Sequence, residues 1–124
     1  MIKFFETHRK FSLFITLIGA VLIFYISSLD FGGVGGIKGY YSIIYHFFAF
    51  FCFSFFVFIT IVNGRKKFNL FFVGFLLSFG YAITDELHQS FVPWRYCDIF
   101  DVVVDSTGII FAMMIYLIII SLRE

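Results

Sequence analysis

Long apolar runs, each closed by a short cluster of charges, divide the chain into four parts. The runs cover residues 11–29, 41–62, 68–84 and 102–122, or 19, 22, 17 and 21 residues. An α-helix needs about 17–25 apolar residues to cross the hydrocarbon layer of a bilayer. The pattern therefore predicts an all-α, polytopic membrane protein: one domain over residues 1–124, built as a bundle of four transmembrane helices. Within the runs, the only charged or imidazole side chains are His46 in the second and Asp105 in the fourth.

Composition agrees with this reading. Hydrophobic residues make up 61% of the 124 residues and charged residues 14%, and the mean hydropathy is +1.00. A water-soluble domain of this size carries about 25% charged residues.

The charges also predict orientation. Lys3, Arg9, Lys10, Arg65, Lys66, Lys67 and Arg123 fall on one side of the four spans, seven of the nine basic residues. Basic residues accumulate on the cytoplasmic side of membrane proteins, so the N and C termini are expected to be cytoplasmic. The connections at 30–39 and 85–101 then face outward, and they hold most of the acidic residues. The first of them has five glycines between positions 31 and 39, the composition of a pliable connector. The basic residues before the first run resemble the start of a secretory leader. That run is longer than the usual apolar core of about 7–15 residues, however, and Ser27-Ser28-Leu29-Asp30 is a poor cleavage site, so the first helix is expected to stay in place.

Cys52 and Cys97 lie at different expected depths, and no disulfide between them is anticipated. Thr16 with Ala20, and Gly74 with Ser78, have the small-xxx-small spacing that lets helix backbones approach closely. The 22 phenylalanines read as lipid-facing and interhelical filler. No nucleotide-binding glycine pattern and no long basic stripe is present, so nucleic acid is not an expected partner.

Depth brings distant residues together. His46 lies five residues below Tyr41, about 7.5 Å at 1.5 Å per residue, and Asp105 three residues below position 102, about 4.5 Å. The third span rises to the same level and ends in Asp85-Glu86-Leu87-His88-Gln89. Asp98, Asp101 and Asp105 share one face if their helix starts before Asp98. A charge facing lipid is unfavourable, so Asp105 is expected to point inward to a partner, with His46 and Arg95 as the candidates. Glu86, Asp101, Asp105 and His46 are the candidate catalytic residues; Gln89, Arg95, His88 and Asp98 are the candidates for binding substrate. Carboxylates and imidazole are competent metal ligands, but the chain has no zinc-type spacing, so metal and cofactor stay open. A polar cap joining helix ends by ion pairs, without chemistry, is the plainer reading. The density of ionisable groups in a chain that otherwise avoids charge favours a functional site.

At these residues the chain resembles the VanZ-like family of small bacterial membrane proteins. The likeness rests on Glu86-x-x-Gln89, then Phe91, Pro93-x-Arg95, and Asp101-x3-Asp105-x-x-Gly108, with His46-Phe47 resembling the upstream histidine motif. The family often has Asp-Lys where this chain has Ser42-Ile43, and Gly where it has Trp94. The resemblance implies four spans in a cell membrane and a place in the cell envelope. Through the name-giving member it also implies a link to resistance against the glycopeptide antibiotic teicoplanin.

Two readings of function follow. In the first, an outer-leaflet polar site binds or modifies a membrane lipid or lipid-linked envelope molecule. Glu86 with Asp101 or Asp105 would act as acid and base, His46 would shuttle protons or ligate, and Gln89 and Arg95 would orient the head group. In the second, the protein is not an enzyme but binds or shields, altering how an antibiotic or envelope component engages the membrane. A proton-coupled carrier is a third idea, against which the apolar inner halves of the spans argue. Oligomeric state is not legible.

Overall fold

The computed structural model describes residues 1–29 and 40–123, so the glycine-rich connector with Asp30 and Lys38, and the terminal Glu124, lie outside the described residues. Five helices follow in order: α1 (Ile2–Thr7), α2 (Arg9–Ser27), α3 (Tyr40–Val62), α4 (Phe68–Gln89) and α5 (Ile99–Ser121). No strand occurs among the described residues. The last four helices are each long and apolar enough to cross a membrane.

α3 is the central helix, packed against α2, α4 and α5. Its inward residues Phe50, Phe53, Val57, Phe58, Ile59 and Val62 form the core with Phe71, Ile109, Ala112, Tyr116 and Ile120. The outward surface is as apolar as the core. Leu13, Phe14, Leu17, Val21 and Leu22 of α2, Leu76 and Leu77 of α4, and Phe111, Met114 and Ile118 of α5 are all exposed. Apolar side chains on every outer face mark a bundle whose solvent is hydrocarbon.

Small residues set the helix spacing. A Cβ at Gly108 would stand 2.5 Å from the Phe47 carbonyl oxygen and 3.1 Å from the Phe51 nitrogen, so α3 and α5 touch backbone to backbone there. Gly74 likewise receives the Phe58 ring. Thr16 lies 3.4 Å from the Thr60 hydroxyl, and Tyr81 donates to the Ala20 carbonyl at 2.5 Å, which joins α2 to α3 and α4. Both small-xxx-small pairs thus sit at helix contacts.

The ends of the spans differ from the expected limits in ways that matter for the site. α4 continues to Gln89 rather than stopping at Thr84, because the polar residues of its last turn find partners inside the bundle. α5 begins at Ile99, with Asp98 as its N-cap: the Asp98 carboxylate accepts from the Phe100 N–H at 2.9 Å. Asp98 therefore stands outside the helix and does not extend the face of Asp101 and Asp105.

The bundle has two dissimilar polar ends. At one, α1 folds under the helices. Glu6 accepts from the Tyr116 hydroxyl at 2.7 Å and pairs with Arg123 at 2.6 Å, while the Gly64 N–H donates to the same tyrosine at 2.9 Å. Arg9 donates to the Thr60 carbonyl at 2.8 Å. Asn63 and Gly64, both at positive φ, turn the chain there. The opposite end gathers the C-termini of α2 and α4 and the N-termini of α3 and α5.

Candidate functional site

Four of the sequence-derived candidates meet at this second end. His46, on the second turn of α3, donates from Nδ1 to Asp105 Oδ1 on α5 at 2.8 Å. Its Nε2 lies 3.6 Å from Asp101 Oδ2, one turn earlier on α5. Glu86 of α4 approaches from the third side, with Oε1 4.0 Å from His46 Nδ1. Helical periodicity explains the convergence: residues four apart on α5 differ by about 40°, so Asp101 and Asp105 address the same imidazole from successive turns.

The cluster is closed off. His46 is 2% exposed, Glu86 1% and Asp105 0%. Asp101 is half-buried and forms its more open side. Glu86 Oε2 accepts the Asp98 backbone N–H at 3.1 Å, which pins the α4–α5 loop to the cluster, but Glu86 Oε1 has no hydrogen-bond partner. Asp105 Oδ2 has none either. Buried polar atoms without partners are rare in folded proteins and call for an explanation. One donor atom from each of His46, Glu86 and Asp101 can be chosen so that all three lie within 4.8 Å of one another.

A second polar chain adjoins the first. Asp85 accepts from the Ser27 hydroxyl of α2 and, at 3.1 Å, from Gln89 Nε2 one turn further along α4. Gln89 thus orients the Asp85 carboxylate rather than meeting His46 directly. Arg95 lies on the α4–α5 loop, between the end of α4 and the start of α5. The Tyr45 hydroxyl is buried without a hydrogen-bond partner.

Two of the expected site residues are turned elsewhere. His88 stacks on Phe24 and bonds the Ser28 hydroxyl at 2.8 Å, on the α2 side, because two residues of helix rotate it about 200° from Glu86. Asp98 caps α5 with its side chain and reaches the cluster only through its backbone. Asp85, Ser27 and Tyr45 join the site although sequence reasoning did not select them. A signal for Asp85 did exist: Gly74, Ser78, Ala82, Asp85 and Gln89 form one small or polar stripe, recognisable once α4 is allowed past residue 84.

Below the polar cluster, an apolar groove of about 280 Å³ runs along the α2–α3 seam. It extends from Tyr45 and Ile26 at the polar end down to Phe56 and Ile15, a length of about 16 Å at 1.5 Å per residue. Tyr45 belongs to both features: it lines the groove, and its ring stands edge-on to His46 with the centroids 5.5 Å apart. Cys52 lines the groove, Cys97 lies on the α4–α5 loop, and both are free.

The family model described as VanZ/LLP1 matches residues 3–120. No curated protein and no solved structure matches the chain.

Proposed function

Because the chain belongs to the VanZ/LLP1 family and is a multi-pass membrane protein, we propose that its polar end binds the head group of an amphiphilic envelope molecule in the outer leaflet of the cell membrane. The orientation follows the basic residues: Lys3, Arg9, Lys10, Arg65, Lys66, Lys67 and Arg123 sit at the opposite end, which by the positive-inside tendency is cytoplasmic. The observation that carries the reading is Tyr45, which joins a charged cluster to an apolar groove. A lipid has the same division, with a polar head to meet Arg95, Gln89 and the carboxylates and an acyl chain to occupy the α2–α3 seam.

Arg95 suits a phosphate or carboxylate head group, since guanidinium offers paired donors to such anions. Glu86 and Asp101 both approach His46, at 4.0 and 3.6 Å, and supply an acid–base pair beside the imidazole, with Asp105 holding the ring in one tautomer. A role in resistance to teicoplanin, which the family resemblance implies, is consistent with this placement.

The test uses purified protein in lipid nanodiscs supplied with labelled envelope lipids. Wild type should capture a labelled lipid, and Glu86→Gln should capture it at least tenfold more weakly while inserting and folding normally. Equal capture by the two proteins would overturn the proposal. Release of a modified lipid by wild type alone distinguishes turnover from shielding.

A further inference from the structure

We infer that His46, Glu86 and Asp101 form a site for one divalent cation of the Mn²⁺ or Zn²⁺ class. The inference deepens the head-group reading and shares its pocket, but it rests on three observations of its own.

The first is the distribution of roles around the imidazole. His46 Nδ1 is committed to Asp105 Oδ1 at 2.8 Å, which leaves Nε2 as the free ring nitrogen. A carboxylate behind a histidine is the usual arrangement for a ligating imidazole, because it fixes the tautomer and raises the basicity of the other nitrogen. The second is spacing. Nε2 and Asp101 Oδ2 are 3.6 Å apart, and two donors at about 2.1 Å from a tetrahedral ion stand about 3.4 Å apart. Donor atoms of all three residues lie within 4.8 Å of one another, and Glu86 Oε1, 4.0 Å from Nδ1, has to turn toward the Nε2 side to complete the set.

The third is an unpartnered oxygen. Glu86 Oε1, on a side chain 1% exposed, points at the imidazole and accepts no hydrogen bond. Hydrogen bonding to protein satisfies its other oxygen only. An ion explains why this atom is buried toward His46 with no donor, and it offsets the charge of Glu86, Asp101 and Asp105, which meet around a single imidazole. One nitrogen and two carboxylate donors suit Mn²⁺ and Zn²⁺ better than the all-oxygen shells typical of Ca²⁺ or the water-rich shells of Mg²⁺. Asp101, the most open of the three, leaves room on its side for water or a head-group oxygen as a further ligand.

The full chain, purified in detergent and stripped with a chelating resin, is titrated with Mn²⁺. Free ion is followed by electron paramagnetic resonance and bound ion by nitrogen couplings in its electron spin echo. The expected result is one Mn²⁺ per chain, coupled to a histidine nitrogen and displaced by Zn²⁺. Glu86→Gln and Asp101→Asn should weaken binding at least tenfold, His46→Gln should abolish the nitrogen coupling, and Asp105→Asn should weaken binding by about 10–100-fold. Absence of saturable uptake, or bound Mn²⁺ without nitrogen coupling in wild type, would overturn the inference without recourse to any variant. No lipid is present, so a failed lipid-capture assay leaves this result standing, and lipid capture with no cation removes the ion alone.

Discussion

Replacing Gly108 with alanine tests the close contact on which the site depends. The added Cβ would meet the Phe47 carbonyl oxygen at 2.5 Å and the Phe51 nitrogen at 3.1 Å. Both atoms are backbone, so no rotamer change relieves the overlap. Ordinary contact begins near 3.4 Å, and the two helices must separate locally by roughly 1 Å to reach it. Overpacking of this kind costs about 1–3 kcal/mol. Alanine recovers up to about 1 kcal/mol through its higher helix propensity. The net expectation is a loss of about 1–2 kcal/mol. The separation falls within one turn of Asp105 and next to His46, so the 2.8 Å bond between them lengthens as well. Thermal unfolding in detergent, followed by circular dichroism, should show Gly108→Ala melting several degrees below wild type. Gly80→Ala is the control: nothing lies within 4 Å of its Cβ position, so it should be neutral or slightly stabilising. If Gly108→Ala melted at or above wild type, the α3–α5 approach would not be as tight as described.

Trp94 supplies a second test. It sits at φ 63°, following Pro93 in a turn closed by the Arg95 N–H to the Val92 carbonyl at 3.1 Å, a position that favours glycine. Trp94→Gly relieves about 1–2 kcal/mol of backbone strain but loosens the unfolded chain by about 0.4–1 kcal/mol, so stability should rise by up to about 1.6 kcal/mol; a lower melting temperature would contradict this account. Orientation is tested with the native cysteines. A membrane-impermeant maleimide added to intact cells should label Cys97 on the α4–α5 loop and spare Cys52, which lines the groove within α3; labelling of Cys97 only after permeabilisation would place the site on the cytoplasmic side.

The four spans were legible because apolar runs of membrane length have few other uses. The meeting of His46, Glu86, Asp101 and Asp105 was legible too, from depth alone: once alternate helices run in opposite directions, residues near the same end of the bundle share a height. Facing was harder to read. His88 lies two residues from Glu86 and shares its depth, yet helix rotation carries it to the α2 side. Asp98 would share the face of Asp101 and Asp105 only in a helix that starts before it, whereas it caps that helix. Asp85 was passed over because the span was ended at residue 84, where polarity begins, although Ser27 and Gln89 give its carboxylate partners that let the helix continue. The short helix α1 gave no signal, since its six residues are held by tertiary contacts rather than by periodicity.

The Glu6 contacts carry a consequence for the order of assembly. Glu6 is separated by 110 residues from Tyr116 and by 117 from Arg123. During synthesis its carboxylate emerges before all four spans and waits while they are threaded into the bilayer. The latch can close only when the last of them is seated, so a truncation within α5 would leave the first segment unfastened however well the earlier helices had packed.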